Sequence, residues 1–172
     1  VAFVQLWGIP FLKLTYGLKP QSASTALAFT WIGIGLGSPL LGWWSNHIRQ
    51  RKLPLTVSAI VGVASWLVLV YVRLPIYGLY INFCLIGLAA SGQALSFTTV
   101  KENNSPEITG TAVGINNTAV VFGGSIFQPL LGFLLKWGQE TFVVLPLCYL
   151  LAALVSQLLL KETHCKPKYS AK

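Results

Sequence analysis

The sequence predicts an all-α integral membrane protein built as a helical bundle. Of its 172 residues, 54% are hydrophobic and only 9% are charged, with a mean hydropathy of +0.67. Soluble domains carry roughly a quarter charged residues, so a water-soluble fold of this size could not cover its surface with so few. The charged residues also fall in short runs. The uncharged stretches between them reach the length of about 18 residues that a transmembrane helix needs.

The charge balance favours a membrane partner over a nucleic acid. The net charge is +8 and the chain contains no Asp. Lys and Arg lie at the ends of the apolar segments, where they orient helices in a bilayer, and do not form one clustered basic face. We therefore expect contact with the lipid bilayer and no nucleic-acid partner. Three scattered cysteines predict neither a disulfide framework nor a metal site.

Six apolar segments follow one another along the chain. The first is short: at ~1.5 Å per residue it covers ~21 Å of a hydrocarbon core ~30 Å thick. It is either a truncated spanning helix, which we favour, or a short re-entrant segment. A start at Val1 and the absence of Met favour a piece of a longer protein. The remaining segments are long enough to span. The predicted boundaries are 1–14, 24–44, 53–72, 76–100, 108–135 and 142–160.

Each segment is bounded by residues that start or stop helices. Pro20 and Ser22 precede the second segment, and a basic turn separates it from the third. Pro75 ends the tight turn before the fourth segment. A polar loop at 101–107 precedes the fifth, and Gly138 marks the turn before the sixth. Residues 161–172 form a polar tail that we expect to be frayed.

The distribution of Lys and Arg predicts the orientation. Counting connections alternately, eight of these residues fall on one side and four on the other. The richer side should be cytoplasmic, which places the tail inside the cell. The richer side holds Arg49, Arg51, Lys52, Lys101, Lys161, Lys166, Lys168 and Lys172, and the other holds Lys13, Lys19, Arg73 and Lys136.

The junction between the second and third segments carries a family signature. A glycine-rich apolar helix ends in a basic turn at 45–52. This junction resembles the cytoplasmic loop of the major facilitator superfamily, in which Gly-x-x-Ser/Ala-Asp-Arg is followed by a basic turn. The family's Asp corresponds to Asn46, its Arg to His47 and its turn glycine to Arg49, so the ion-pair role of the Asp is expected to be weaker. The resemblance implies a gating motif of Gly42, Ser45, Asn46, Arg51 and Lys52.

Two further stretches extend the resemblance over nearly the whole chain. Residues 7–18 are similar to the end of the family's seventh helix, and residues 110–132 are similar to its eleventh. The resemblance implies half of a major facilitator fold: a C-terminal transmembrane bundle at 1–160, a cytoplasmic tail at 161–172, and a missing N-terminal half as partner.

Polar side chains inside the apolar segments are the candidate substrate ligands. Asn82 and Gln93 are eleven residues apart, as are Asn117 and Gln128, and this spacing places each pair within ~20° on one helix face. The resemblance implies that such residues face a central cavity. The alternative is that they hydrogen-bond neighbouring helices and serve packing. The candidates are Gln5, Trp7, Thr30, Asn82, Gln93, Asn117 and Gln128.

The resemblance implies a secondary transporter, a symporter or antiporter, that moves a small polar solute or metabolite by alternating access. We expect a multi-pass protein of the cell membrane, the inner membrane if bacterial, without catalytic residues, metal or cofactor. No acidic residue lies within the apolar segments, so a proton-coupling carboxylate is expected in the missing half. A non-transporting membrane scaffold or assembly subunit is the alternative. A membrane-embedded enzyme is less favoured, because His, Asp and Glu clusters are missing.

Overall fold

The computed structural model describes residues 2–166 and 169, and of Gln139 and Glu140 the backbone alone. Lys168 and Lys172 of the predicted tail lie outside the described residues. Within the described part all regular elements are helical. Five helical spans are long and apolar enough to cross a membrane: Pro20–Ile48, Lys52–Tyr71, Ile76–Asn103, Pro106–Leu135 and Thr141–Leu158. The predicted all-α membrane bundle is confirmed.

The chain begins with a π-helical segment that runs directly into the first α-helix. Pro10 has no N–H to donate to the carbonyls four or five residues before it, and the wider helix lies at that point. The elements are the π-helical segment (Phe3–Trp7), α1 (Gly8–Tyr16), α2 (Pro20–Ile48), α3 (Lys52–Tyr71), α4 (Ile76–Ala90), α5 (Gly92–Asn103), α6 (Pro106–Leu135), a 3₁₀ turn (Gln139–Val143) and α7 (Val144–Leu158).

The largest differences from the predicted segments lie in the second and the fourth. The second segment extends to Pro20–Ile48 in place of 24–44, because Pro20 starts the helix and the polar last turn continues it past the apolar run. The fourth segment is interrupted at Ser91, which separates α4 from α5. A hydrophobic pattern marks the hydrocarbon-spanning part of a helix but not its hydrogen-bonded ends.

Among the described helices, α2 and α4 make the most extensive contact, and glycine makes this approach possible. A Cβ added at Gly33 would overlap the carbonyl oxygen of Cys84, and one added at Gly87 would overlap the carbonyl oxygen of Thr30. Backbone therefore packs on backbone, as small residues permit between helices in lipid. This contact fixes the position of α4, and through it α5, relative to α2.

An aromatic cluster packs the first part of the chain against α3. The Phe3 ring makes edge-to-face contacts with Phe11, Trp66 and Phe142, at centroid distances of 5.4, 5.0 and 5.4 Å. These rings come from the π-helical segment, α1, α3 and the 3₁₀ turn. Such contacts add about 0.5–1.5 kcal/mol per pair beyond the apolar area buried. The cluster therefore anchors the π-helical segment against α3.

The exposed surface is apolar over most of the spans. Ile115, Phe122 and Phe133 of α6 and Leu151 and Leu158 of α7 are all more than half exposed. In water such a surface would be costly, whereas in hydrocarbon it needs no covering. The bundle is therefore built to contact lipid.

Candidate functional site

A cavity of about 890 Å³ opens among the π-helical segment, α3, α5, α6 and α7, and Trp31 of α2 and the last residues of α4 complete its wall. Amide side chains reach it from three different elements: Gln5, Gln93 and Gln128. Aromatic rings and small residues form much of the remaining wall, among them Trp31, Trp66, Tyr149, Ser58, Ser96 and Ser125. The volume falls in the range typical of small-molecule sites, about 300–1,000 Å³.

Gln5 reaches this cavity from the π-helical segment. Its neighbours Phe3 and Val4 are buried in the core, whereas Gln5 is exposed toward the open side. Widened helical turns commonly lie at functional sites because they re-aim one side chain relative to the next. The segment therefore keeps its apolar face in the core and presents an amide to the cavity.

Gln93 reaches the cavity just after the break between α4 and α5, and Gln128 reaches it just before an internal proline of α6. Gln93 lies two residues after Ser91, at the start of α5. Gln128 directly precedes Pro129 of α6, and its carbonyl oxygen accepts a hydrogen bond from Trp7 Nε1 at 2.7 Å. Trp7 thereby ties α6 to the π-helical segment, and its ring packs on the open face of Gly132.

The other predicted ligands lie outside the lining of this cavity. Asn82 is buried, and its Nδ2 donates to the carbonyl oxygen of Ser65 on α3 at 3.2 Å. Thr30 is buried in the α2–α4 contact, where Cys84 and Gly87 also meet, and Asn117 is exposed on α6. Equal spacing along a helix therefore did not bring Asn82 or Asn117 to the cavity, because the cavity occupies only part of the length of those helices.

The described cavity wall carries no Asp, Glu, Lys, Arg or His. Its polar groups are amides, hydroxyls, one thiol and two indoles. Such groups recognise a solute by donating and accepting hydrogen bonds rather than by a full opposite charge. Among residues 2–166 and 169, no group of three or more His, Cys, Asp or Glu could hold a metal ion.

A second polar site lies at the predicted cytoplasmic end, centred on Arg51. Its guanidinium is almost fully buried and makes a bidentate ion pair with Glu102 at the end of α5, with N–O distances of 2.5 and 3.1 Å. Nη1 also donates to Ser45 Oγ and to Asn46 Oδ1, each at 2.8 Å. Planar, bidentate pairing is the strongest geometry available to an Arg and a carboxylate. The hydrogen bonds that Arg51 donates to Glu102 raise the pKa of Arg51 above its ordinary value.

Two of the residues predicted to form a gating motif are hydrogen-bonded to the Arg51 side chain. Ser45 and Asn46 contact its guanidinium, and Lys52 Nζ donates to the carbonyl oxygen of Gln157 on α7 at 2.9 Å. Gly42 lies one turn earlier with open space at its Cα. An amide at position 46 keeps the hydrogen bond to Arg51, while Glu102 supplies the negative charge.

The turn after α2 contains one position, Arg49, at which glycine would be favoured. Arg49 has φ 53°, in the left-handed region. The N–H of Arg49 donates to the carbonyl of Asn46, and that of Gln50 donates to the carbonyl of Ser45. This is the hydrogen-bond pattern of a Schellman cap, whose left-handed position glycine occupies at least cost.

The beginning of the tail is docked on this site, which corrects the expectation of a frayed segment. The carboxylate of Glu162 accepts hydrogen bonds from the N–H of Arg51 at 2.8 Å and of Lys52 at 3.0 Å. Thr163 Oγ1 donates to Glu102, and Cys165 Sγ donates to the carbonyl of Ser45. Glu162 thus caps the otherwise unpaired first N–H groups of α3. Because Glu162 lies 110 residues beyond Lys52 in the chain, a local sequence pattern does not reveal this cap.

Partial burial by itself raises the pKa of Glu162, but the N–H groups of Lys52 and Arg51 outweigh it and lower that pKa below its ordinary value. Glu102, Glu162 and Thr163 are the residues of this site that the sequence did not single out. One signal was present: the chain has only four acidic residues. In so apolar a chain each carboxylate needs a partner.

The comparisons with known proteins give one family. Residues 2–172 match the family model described as Major Facilitator Superfamily. No curated protein and no solved structure matches the chain.

Proposed function

The chain belongs to the major facilitator superfamily and is a multi-pass membrane transport protein, and from this premise we propose that it carries a small polar solute or metabolite by alternating access. Transport would be secondary, as symport or antiport. The site would be the cavity of about 890 Å³, in which Gln5, Gln93 and Gln128 hold the solute by hydrogen bonds.

The composition of the cavity wall is the observation that supports this proposal. Three amides from separate elements converge on one space, and the described lining offers no charged anchor. Amides donate and accept at once, so they suit hydroxyl, carbonyl and amide groups of a solute. Trp31 and Trp66 would pack on its apolar parts.

We further propose that this bundle is the C-terminal half of a carrier and rocks against an N-terminal half around that cavity. One bundle leaves the cavity open on one side, so the chain alone would not transport. The cavity wall that the structure describes contributes no carboxylate, so a coupling proton or ion would bind in the other half. The cell membrane, with the tail in the cytoplasm, would be the location.

The Arg51 cluster would keep the bundle rigid as it rocks. It joins the end of α2, the start of α3, the end of α5 and the beginning of the tail through hydrogen bonds. In the proposed mechanism the gating residues Gly42, Ser45, Asn46, Arg51 and Lys52 act at this end, where the other half would approach or withdraw.

The non-transporting scaffold remains the alternative, and amide substitutions discriminate the two. In the assembled carrier, Gln93→Leu and Gln128→Leu each should reduce solute uptake by roughly tenfold or more, since each removes hydrogen bonds worth about 1–2 kcal/mol. Asn117→Leu is the matched control, because it is an exposed amide on α6 that does not line the cavity. Uptake is measured with a radiolabelled metabolite panel in proteoliposomes. Equal uptake by all three variants would contradict the cavity as the site.

A further inference from the structure

A second pocket, of about 340 Å³, lies at the end of the bundle opposite Arg51. It forms where α1 ends, where the turn joins α3 to α4, and where α6 ends. Arg73 of the turn and Lys136 at the end of α6 both line it, together with the Thr15 hydroxyl. This pocket shares no lining residue with the central cavity. It is therefore separate from the proposed transport site.

Among the side chains that the structure describes, the two cations in this pocket have no counter-charge. Neither the Arg73 nor the Lys136 side chain makes a hydrogen bond or an ion pair with any group in the part of the chain that the structure describes. Lys13 and Lys19 lie at the same end, where Glu140 is the one acidic residue of the connections. Positive charge is thus in excess at this end, and two of the cationic side chains, Arg73 and Lys136, line the same pocket.

The rest of the lining is apolar. Phe11 is buried in the core and Leu135 is partly buried against it, whereas Leu14 is 72% exposed and continues the pocket wall to the outside of the bundle. A ligand that fits must therefore be anionic at one end and hydrocarbon at the other. The pocket lies where α1 and α6 end, which is the depth of lipid headgroups in a bilayer.

We propose that this pocket binds the headgroup of an anionic phospholipid in the leaflet opposite the Arg51 cluster. The Arg73 guanidinium can hold two phosphate oxygens with its fork of N–H donors, and Lys136 adds a point charge. The acyl chains then lie along Leu14 and Leu135. A zwitterionic lipid fits less well, because its own cation competes with Arg73 and Lys136 for the phosphate.

The test titrates the full chain, delipidated in detergent micelles, with phosphatidylglycerol or with phosphatidylcholine of the same acyl chains, and counts retained lipids by native mass spectrometry. We expect one saturable phosphatidylglycerol and little retained phosphatidylcholine. The double variant Arg73→Gln/Lys136→Gln should bind about tenfold or more weakly, since it removes both charge-assisted contacts.

The matched control is Lys13→Gln/Lys19→Gln, which removes two cations from the same end outside the pocket. It should change affinity by about twofold or less, as expected for exposed and screened charges. The charge-preserving variant Arg73→Lys/Lys136→Arg should retain binding and confirms that substitutions here leave the fold intact. Equal losses in both Gln pairs, or equal retention of phosphatidylcholine, would overturn the proposal. Displacement of the lipid by millimolar inorganic phosphate would overturn it too, by assigning the pocket to a free anion.

Discussion

Arg51 shows how one residue can join distant parts of a membrane bundle. Its side chain is 4% exposed and contacts Glu102, Ser45 and Asn46, while its backbone N–H donates to Glu162. A buried charge of this kind persists only when its hydrogen bonds are satisfied. Removing either Arg51 or Glu102 is therefore costly, because the remaining charge is left buried without a partner.

Arg51→Ala is expected to lower the free energy of unfolding by about 3 kcal/mol, because it leaves the Glu102 carboxylate buried without a counter-charge. Thermal unfolding in detergent measures the effect. Arg49→Gly is the control two residues away: it removes an exposed cation and suits the left-handed backbone at that position, so stability should not fall. An Arg51→Ala variant as stable as the wild type would show that the ion pair does not hold this end together.

Glu162 makes the docking of the tail depend on pH. Its folded-state pKa is lowered, so its contribution to stability is present above its unfolded pKa of 4.5 and is lost as pH falls through the lower folded value. The wild type should therefore be more stable than Glu162→Gln at pH 7. The difference in melting temperature should stay constant down to about pH 5 and shrink below it. A difference that grows as the solution is acidified would contradict this capping role.

At the scale of helices, the α2–α4 contact determines where the cavity-lining part of α5 lies. Gly33 and Gly87 face each other's backbone, so the two helices approach more closely than any side chain would allow. α5 continues from α4 after Ser91 and presents Gln93 to the cavity. Widening of this contact would displace the cavity wall as well as the core.

Gly87→Ala should destabilise the bundle by about 1–3 kcal/mol, because the new methyl group overlaps the carbonyl oxygen of Thr30 and the helices must separate. Gly35→Ala is the matched control, because it adds the same methyl group to a helix of the same pair, α2, at a position where open space surrounds the new Cβ. Melting temperatures of the purified variants in one detergent compare the two. Equal melting of both variants would be incompatible with close backbone packing at Gly87.

The whole molecule is asymmetric in charge between its two ends. The Arg51 end contains the ion pair, the docked tail and most of the cations, while the opposite end holds Lys13, Lys19, Arg73 and Lys136. The lipid-facing surface between them is apolar along α6 and α7. This distribution is the basis for placing the Arg51 end in the cytoplasm.

Cysteine labelling in intact cells tests that orientation. In a background with Cys84, Cys148 and Cys165 replaced by Ser, Lys19→Cys should react with a membrane-impermeant maleimide, whereas Arg49→Cys should react only after the membrane is permeabilised. Both positions are exposed and lie at opposite ends of α2, so accessibility differs by side alone. Labelling of Arg49→Cys in sealed cells would invert the topology.

The sequence indicated parts of both sites but not their assembly. It identified Gln5, Gln93 and Gln128 as amides in apolar surroundings, and these line the cavity. It gave equal weight to Asn82, which is bonded to α3 instead. Periodicity tells which residues share a helix face, but it does not tell which neighbouring helix covers that face at a given depth.

The sequence by itself determined the solvent and the class of this protein. Long uncharged stretches need hydrocarbon around them, and the basic junction after α2 carried the family signature. Only the tertiary structure decided that Glu102 and Glu162 complete the Arg51 site and that Arg73 and Lys136 share a pocket. These contacts join residues 51 to 111 positions apart or meet between separate helices. Hydrophobic burial in a membrane acts on each segment locally, whereas the pairing of a rare charge depends on which helix ends the fold brings together.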